Sequence, residues 1–206
     1  MHHLRKSARP VWIRPALALL FVLAAGAQAA QRPERIGGEP NLNGIWLAVG
    51  GADWNLEPHT ASGLDKFWKL GAIAAVPPSL GVVDGGEIPY LPEARKQRDA
   101  NRAAWPAADP EARCYLPGIP RANYMPYPFQ IVQSPGADIL FVYEYASANR
   151  KVFMKEHRMP PIQTWMGTSN GAWDGDTLVI ETTGLNGKTW LDRAGNYAGA
   201  GAEVTE

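Results

Sequence analysis

The sequence predicts a mainly β domain: an antiparallel curved sheet or partial barrel with one or two short helices. Three observations carry that prediction. The second half of the 206-residue chain is a series of short β-prone runs separated by turn residues. Gly and Pro, at 21 and 18 residues, favour turns and short strands over long helices. Asp-Gly stands between two β-prone runs in Trp173-Asp174-Gly175-Asp176, which suits a tight hairpin turn with positive φ.

Taken in order, the chain opens with Arg5, Lys6, Arg9 and Arg14, followed by the uncharged run Pro15 to Gln31. The apolar part of that run is roughly ten residues, short of the ~20 that a spanning helix needs, and Ala27-Gln28-Ala29 offers small residues for cleavage. Residues 1–29 read as a signal peptide. Residues 30–206 then form a single β-rich domain, periplasmic or secreted, with no stable membrane span after cleavage; an uncleaved anchor is the alternative. Gln31 to Asn41 is a polar arm, and Asn43 to Val49 is the first strand candidate. Thr60 to Ala72 places Leu64, Phe67, Trp68 and Gly71 at helical spacing, which predicts a short amphipathic helix. Val76 to Tyr90 is irregular. Pro92 to Trp105 reads as a second, charged helix with Pro in its first turn. Strands are expected at Phe129–Gln133, Ile139–Tyr145, Arg150–Met154, Ala172–Trp173, Thr177–Thr183 and Lys188–Leu191.

Composition narrows the function classes. Twenty basic residues balance twenty acidic ones, so no global positive field invites a nucleic acid. Signal removal takes away four basic and no acidic residues, leaving the rest acidic. Cys114 alone allows no internal disulfide, and His59 and His157 are the only imidazoles after residue 29, too few for a His-rich metal site. No nucleophile elbow, phosphate loop, metalloprotease helix or dinucleotide fingerprint is present, so neither a metal nor a cofactor is expected.

The run from Asp138 to His157 carries the site prediction. With a turn centred on Ser147 and Ala148, Tyr145 faces Arg150, Tyr143 faces Val152 and Phe141 faces Met154. Strand alternation then gathers Phe141, Tyr143, Tyr145, Arg150, Val152 and Met154 on one face. The other face carries Glu144 opposite Lys151 as an ion pair. An apolar floor ending in two phenols and a guanidinium suits a small apolar or aromatic molecule with a polar group, and ordinary core packing is the competing reading. Trp165 and Trp173 are added as aromatic walls. As a catalyst the same set would use Tyr143 or His157 for proton transfer and Arg150 for charge stabilisation.

Trp46 in Gly44-Ile45-Trp46 resembles the first-strand G-x-W of lipocalins, whose ring closes the barrel base. More of the chain is informative. DPEARC (109–114), PG-x-PR (117–121), PFQIVQ (128–133), the Y-E-Y hairpin (143–145), TWMG-x-S (164–169), W-x-GDTLV (173–179) and KTWLD-RAG (188–195) occur in order. Together they resemble a large, mostly uncharacterised family of secreted bacterial proteins with a signal peptide and a GIW segment. The resemblance spans about Leu42 to Gly195 and implies a β-rich, lipocalin-like fold. It also implies a longer protein, with His at the position of Thr168 and further His residues where this chain reads GNYAGAGAE (195–203). The leading expectation is an exported β protein that binds a small apolar or aromatic molecule. The alternatives are a cofactor-independent lyase, isomerase or hydratase acting on such a molecule, and an envelope scaffold protein. Oligomeric state is not legible.

Overall fold

In the structure, a computed structural model describing residues 34–64 and 75–206, seven strands form one mixed sheet. They are β3 (Gly44–Trp46), β6 (Phe129–Val132), β7 (Ile139–Tyr143), β8 (Asn149–Phe153), β9 (Thr168–Asp174), β10 (Thr177–Thr183) and β11 (Val204–Thr205). Their spatial order is β11-β10-β9-β8-β7-β6-β3. Two further pairs stand apart from it: β1 (Arg35–Ile36) with β2 (Glu39–Pro40), and β4 (Ser62–Gly63) with β5 (Ala75–Val76). The mainly β prediction holds. The antiparallel pattern breaks at one joint, where β8 and β9 run parallel with Val152 opposite Ser169. Such a joint needs a long connection rather than a tight turn, and residues 154–167 supply it.

The sheet is open, with β3 and β11 at its edges. Trp46 therefore closes no barrel base: it lies on the edge strand, 43% exposed, and its indole N–H donates to the Leu42 carbonyl at 2.9 Å. The Asp-Gly hairpin forms as expected, with Asp174 opposite Thr177 and Gly175 at φ 56°. Lys188–Leu191 is not a strand; Trp190 makes a single bridge to Tyr197. The expected helix at 60–72 falls mostly outside the described residues, and its start is strand β4. The signal peptide prediction lies outside them altogether.

Helix α1 (Pro92–Ala104) matches its prediction, with Pro at the first position, where the missing N–H costs nothing. Its charges are mostly solvated, but Arg98 is buried against Glu57 and Asp99. Among the described residues, no helix is long and apolar enough to cross a membrane.

The core lies on one face of the sheet. Alternation sends Ile131, Ile139, Phe141, Tyr143, Val152 and Ile180 inward, and Ile119, Ala122, Met166 and Leu185 cover them. Burying each large apolar side chain contributes about 1.5–3 kcal/mol. The covering segment is itself fastened by charge. Asp109 caps the 3₁₀ turn Pro110–Arg113 by accepting from the Glu111 N–H at 2.9 Å, and both its oxygens accept from Arg121 at 2.8 and 2.9 Å. Glu111 bridges Arg121 at 2.7 Å to Arg193 at 2.6 Å. The DPEARC, PG-x-PR and DRAG segments thus meet in one ion network beside the sheet.

Candidate functional site

The hairpin β7–β8 decides how the predicted site is built. Phe141, not Tyr145, stands opposite Arg150, and Ile139 stands opposite Val152. The pairing is displaced by four residues from the expected one. Because four is even, the faces survive: Phe141, Tyr143, Arg150 and Val152 all point into the core. Tyr145 does not join them. It begins the 3₁₀ turn Tyr145–Ser147, its ring lies 5.3 Å from Tyr127, and its hydroxyl donates to the Glu111 carbonyl at 2.8 Å. Nor does Glu144 pair with Lys151, whose ammonium is 3.0 Å from Asp138 instead.

Arg150 is 3% exposed and sits in a row of polar side chains supplied by successive strands. Its Nε donates to Ser169 Oγ on β9 and its Nη2 to Thr182 Oγ1 on β10, both at 2.7 Å. Nη2 also pairs with the Glu206 carboxylate next to β11. Ser169 and Thr182 are themselves 2.8 Å apart, as opposed residues of β9 and β10. Glu206 is brought in by alternation with Val204 and by mutual backbone hydrogen bonds with Ile180 at 2.9 Å. From the covering segment, Asn123 reaches both Glu206 and the Tyr143 hydroxyl, which donates to its Oδ1 at 2.7 Å. The guanidinium carbon lies 5.6 Å from the centre of the Phe141 ring. One nitrogen of the guanidinium, Nη1, is buried with no hydrogen-bond partner.

A cavity of about 390 Å³ opens beside this row. Leu42, Phe141, Trp173, Leu178 and Ile180 make its apolar walls, and Arg150, Glu206, Asn123, Asp176 and Thr177 supply its polar ones. Asp176 is engaged from outside by Arg35 at 2.8 Å. Burial pushes the Tyr143 phenol up to about 12, against the partial opposition of the Arg150 charge. Tyr143 is thus a neutral hydrogen-bond donor at ordinary pH, held by Asn123.

Of the predicted residues, Phe141, Arg150 and Trp173 line the cavity, and Tyr143 stands behind it, bonded to the same Asn123. Met154 is half-buried against the core, where a Cβ on Gly171 would meet its sulfur at 2.6 Å. Trp165 stacks on Tyr115 at 5.2 Å, and His157 is exposed after β8; neither borders the cavity. Three imidazoles, thiols or carboxylates do not converge into a metal-binding group among the described residues.

The chain matches no family model, no curated protein and no solved structure.

Sequence reasoning missed Ser169, Thr182, Asn123 and Glu206. For Thr182 a signal existed, since it lies in the expected strand Thr177–Thr183 two residues after the core Ile180, whereas Ser169 precedes the expected Ala172–Trp173 run and belongs to a strand that begins earlier, at Thr168. Asn123 and Glu206 carried none, because both arrive through contacts between segments far apart in sequence.

Proposed function

We propose that this is an exported protein that binds a small, largely apolar or aromatic molecule bearing a hydroxyl, in the cavity beside Arg150. The supporting observation is the pairing of an apolar pocket with a buried guanidinium that has already been given a carboxylate partner. A cavity of about 390 Å³ lies in the range of small-molecule sites and has room for a molecule of one or two rings. Leu178 and Ile180 form the walls, with the indole of Trp173 as an aromatic one. Its one lining guanidinium, Arg150, is already paired with Glu206, and Asp176 with Arg35, so the cavity offers an incoming carboxylate no free cation. A hydroxyl both donates and accepts, and so serves the acceptor oxygens of Glu206 and the N–H groups of Arg150 or Asn123 together. Binding is favoured over catalysis because the proton-transfer groups do not assemble: His157 is exposed elsewhere, and Tyr143 is too weak an acid to shuttle protons near neutral pH.

Titrating the protein with aromatic alcohols, terpenoid alcohols and the corresponding acids, followed by intrinsic Trp fluorescence, tests the reading. Alcohols are expected to bind more tightly than acids of the same skeleton. Leu178→Trp, which fills the cavity from a half-buried strand position, is expected to abolish that binding while leaving the circular dichroism spectrum intact. Silence across the panel, or undiminished binding in Leu178→Trp, removes the proposal.

A further inference from the structure

The two edges of the seven-strand sheet are guarded differently. Edge β11 is two residues long and lies between Glu203 and Glu206, with the Glu206 carboxylate turned onto Arg150. A short edge flanked by charge resists pairing with another chain. Edge β3 has no such protection: from Gly44 to Gly50 the chain reads Gly-Ile-Trp-Leu-Ala-Val-Gly, with no charge and no proline. Strand β6 occupies one side of β3, and among the described residues no other backbone hydrogen bond reaches residues 45–49. The side chains are as open as the backbone, with Ile45 78%, Leu47 55% and Val49 97% exposed.

Gly44 stands opposite Ile131 and Trp46 opposite Phe129, so both lie on the core side of the sheet, and Ile45, opposite Gln130, lies on the outer side. Carried forward, the same alternation puts Leu47 and Val49 on the outer side and Ala48 on the core side. Val132 and Leu140, opposed on β6 and β7, continue the exposed apolar outer surface inward from the edge. An uncharged apolar edge with unpaired backbone groups is a template for a further strand.

The strand that fits it is its own copy, because the run is nearly symmetrical about Leu47. Turned antiparallel onto itself with Leu47 on a two-fold axis perpendicular to the sheet, it sets Gly44 against Gly50, Ile45 against Val49 and Trp46 against Ala48. On the outer side two β-branched pairs then flank a pair of leucines, and on the core side each indole meets a methyl group that leaves it room. Centred one residue earlier, the pairing would oppose the two Trp46 indoles and set Val49 against the polar Asn43.

We propose that the protein dimerises by antiparallel pairing of β3 with β3 of a second copy, in register about Leu47, which joins two seven-strand sheets into one. The contact is isologous, so the two open edges cover each other and assembly stops at two copies. Each copy buries on the order of 500 Å², about 1,000 Å² in total, which lies at the small end of specific interfaces and makes the dimer weak and concentration-dependent.

Sedimentation equilibrium of the protein from about 1 to 200 µM tests this. The mass is expected to pass from that of one copy to that of two, and amide hydrogen exchange at residues 45–49 to slow as it does. Ile45→Lys and Val49→Glu, both at exposed positions, are each expected to keep the native circular dichroism spectrum and to remain monomeric, since each sets a charge against an apolar residue. Combined in one chain they should associate at least about tenfold more tightly than either alone, because the register brings each new ammonium opposite a new carboxylate. Met159→Lys, at an exposed apolar position on the connection between β8 and β9, should leave association unchanged. The proposal is overturned if the protein stays monomeric at about 200 µM, if association runs beyond two copies, if either single variant still dimerises as the parent does, or if the double variant associates no better than the single ones.

Discussion

Replacing Asp109 by Ala should destabilise the protein by about 3–5 kcal/mol, the cost of breaking a buried ion pair from one side. Asp109 is 1% exposed and Arg121 is 2% exposed, so solvent cannot take over from the lost partner. The change deletes two guanidinium hydrogen bonds, at 2.8 and 2.9 Å, and leaves Arg121 with Glu111 alone. It also deletes the cap of the Pro110–Arg113 turn, worth about 1 kcal/mol by analogy with helix N-caps. Glu111 limits the loss, because its carboxylate still faces Arg121 even while it holds Arg193. Urea unfolding, followed by Trp fluorescence and circular dichroism together, gives the midpoint and slope from which the difference is computed. The paired variant Asp109→Leu with Arg121→Met tests the mechanism, since removing both charges from a sealed site costs little or even stabilises. A cost under about 1 kcal/mol for Asp109→Ala, or additive effects of Asp109→Leu and Arg121→Met, refutes the argument that the pair acts as a unit.

Two further outcomes follow from the Arg150 row. The Tyr143 phenol, ordinarily at 10.0 and pushed up to about 12 by burial, contributes stability that is complete below pH 10. That contribution, about 2–3 kcal/mol, is lost as pH rises from 10 to 12, and Tyr143→Phe should flatten this part of the stability profile measured by denaturant unfolding. Glu206→Gln leaves the Arg150 charge without its counter-ion, so aromatic acids should gain about tenfold or more in affinity at the 390 Å³ cavity relative to their alcohols, read by the same fluorescence titrations.

Strand alternation was the part of the site most legible in the sequence. Phe141, Tyr143, Arg150 and Val152 share a face as expected, although the expected pairing was displaced by four residues. The displacement has a local cause. The turn is made by Ala146 at φ 53° and Ser147 at φ 49°, left-handed conformations in residues that do not advertise them, whereas Gly or Asn would have. Tyr145 was consequently assigned to a strand when it belongs to the turn. At Gly175, where the residue type matches the conformation, the hairpin was read correctly. The parallel joint between β8 and β9 was invisible for a different reason. A strand's own sequence shows which faces are buried, and nothing in 154–167 states the direction from which the chain re-enters the sheet.

Two of the buried arginines, Arg121 and Arg150, show how a structural charge differs from a candidate functional one. Arg121 and Arg150 are equally buried, each is paired with a carboxylate, and each retains one nitrogen without a partner. Burial and an orphaned N–H therefore cannot separate them. Their surroundings do. Arg121 meets two carboxylates on the segment that covers the core and belongs to a chain of charge running through Glu111 to Arg193, an arrangement that fastens one loop to another. Arg150 borders a cavity, and its companions Ser169 and Thr182 are buried hydroxyl side chains on neighbouring strands that hold the guanidinium in place. A fold selected for stability alone has little reason to keep a guanidinium there, because an apolar replacement of similar volume is often neutral or stabilising. The proposed function supplies a reason, since a bound hydroxyl would use polar groups, the Arg150 Nη1 among them, that the fold by itself leaves only partly engaged.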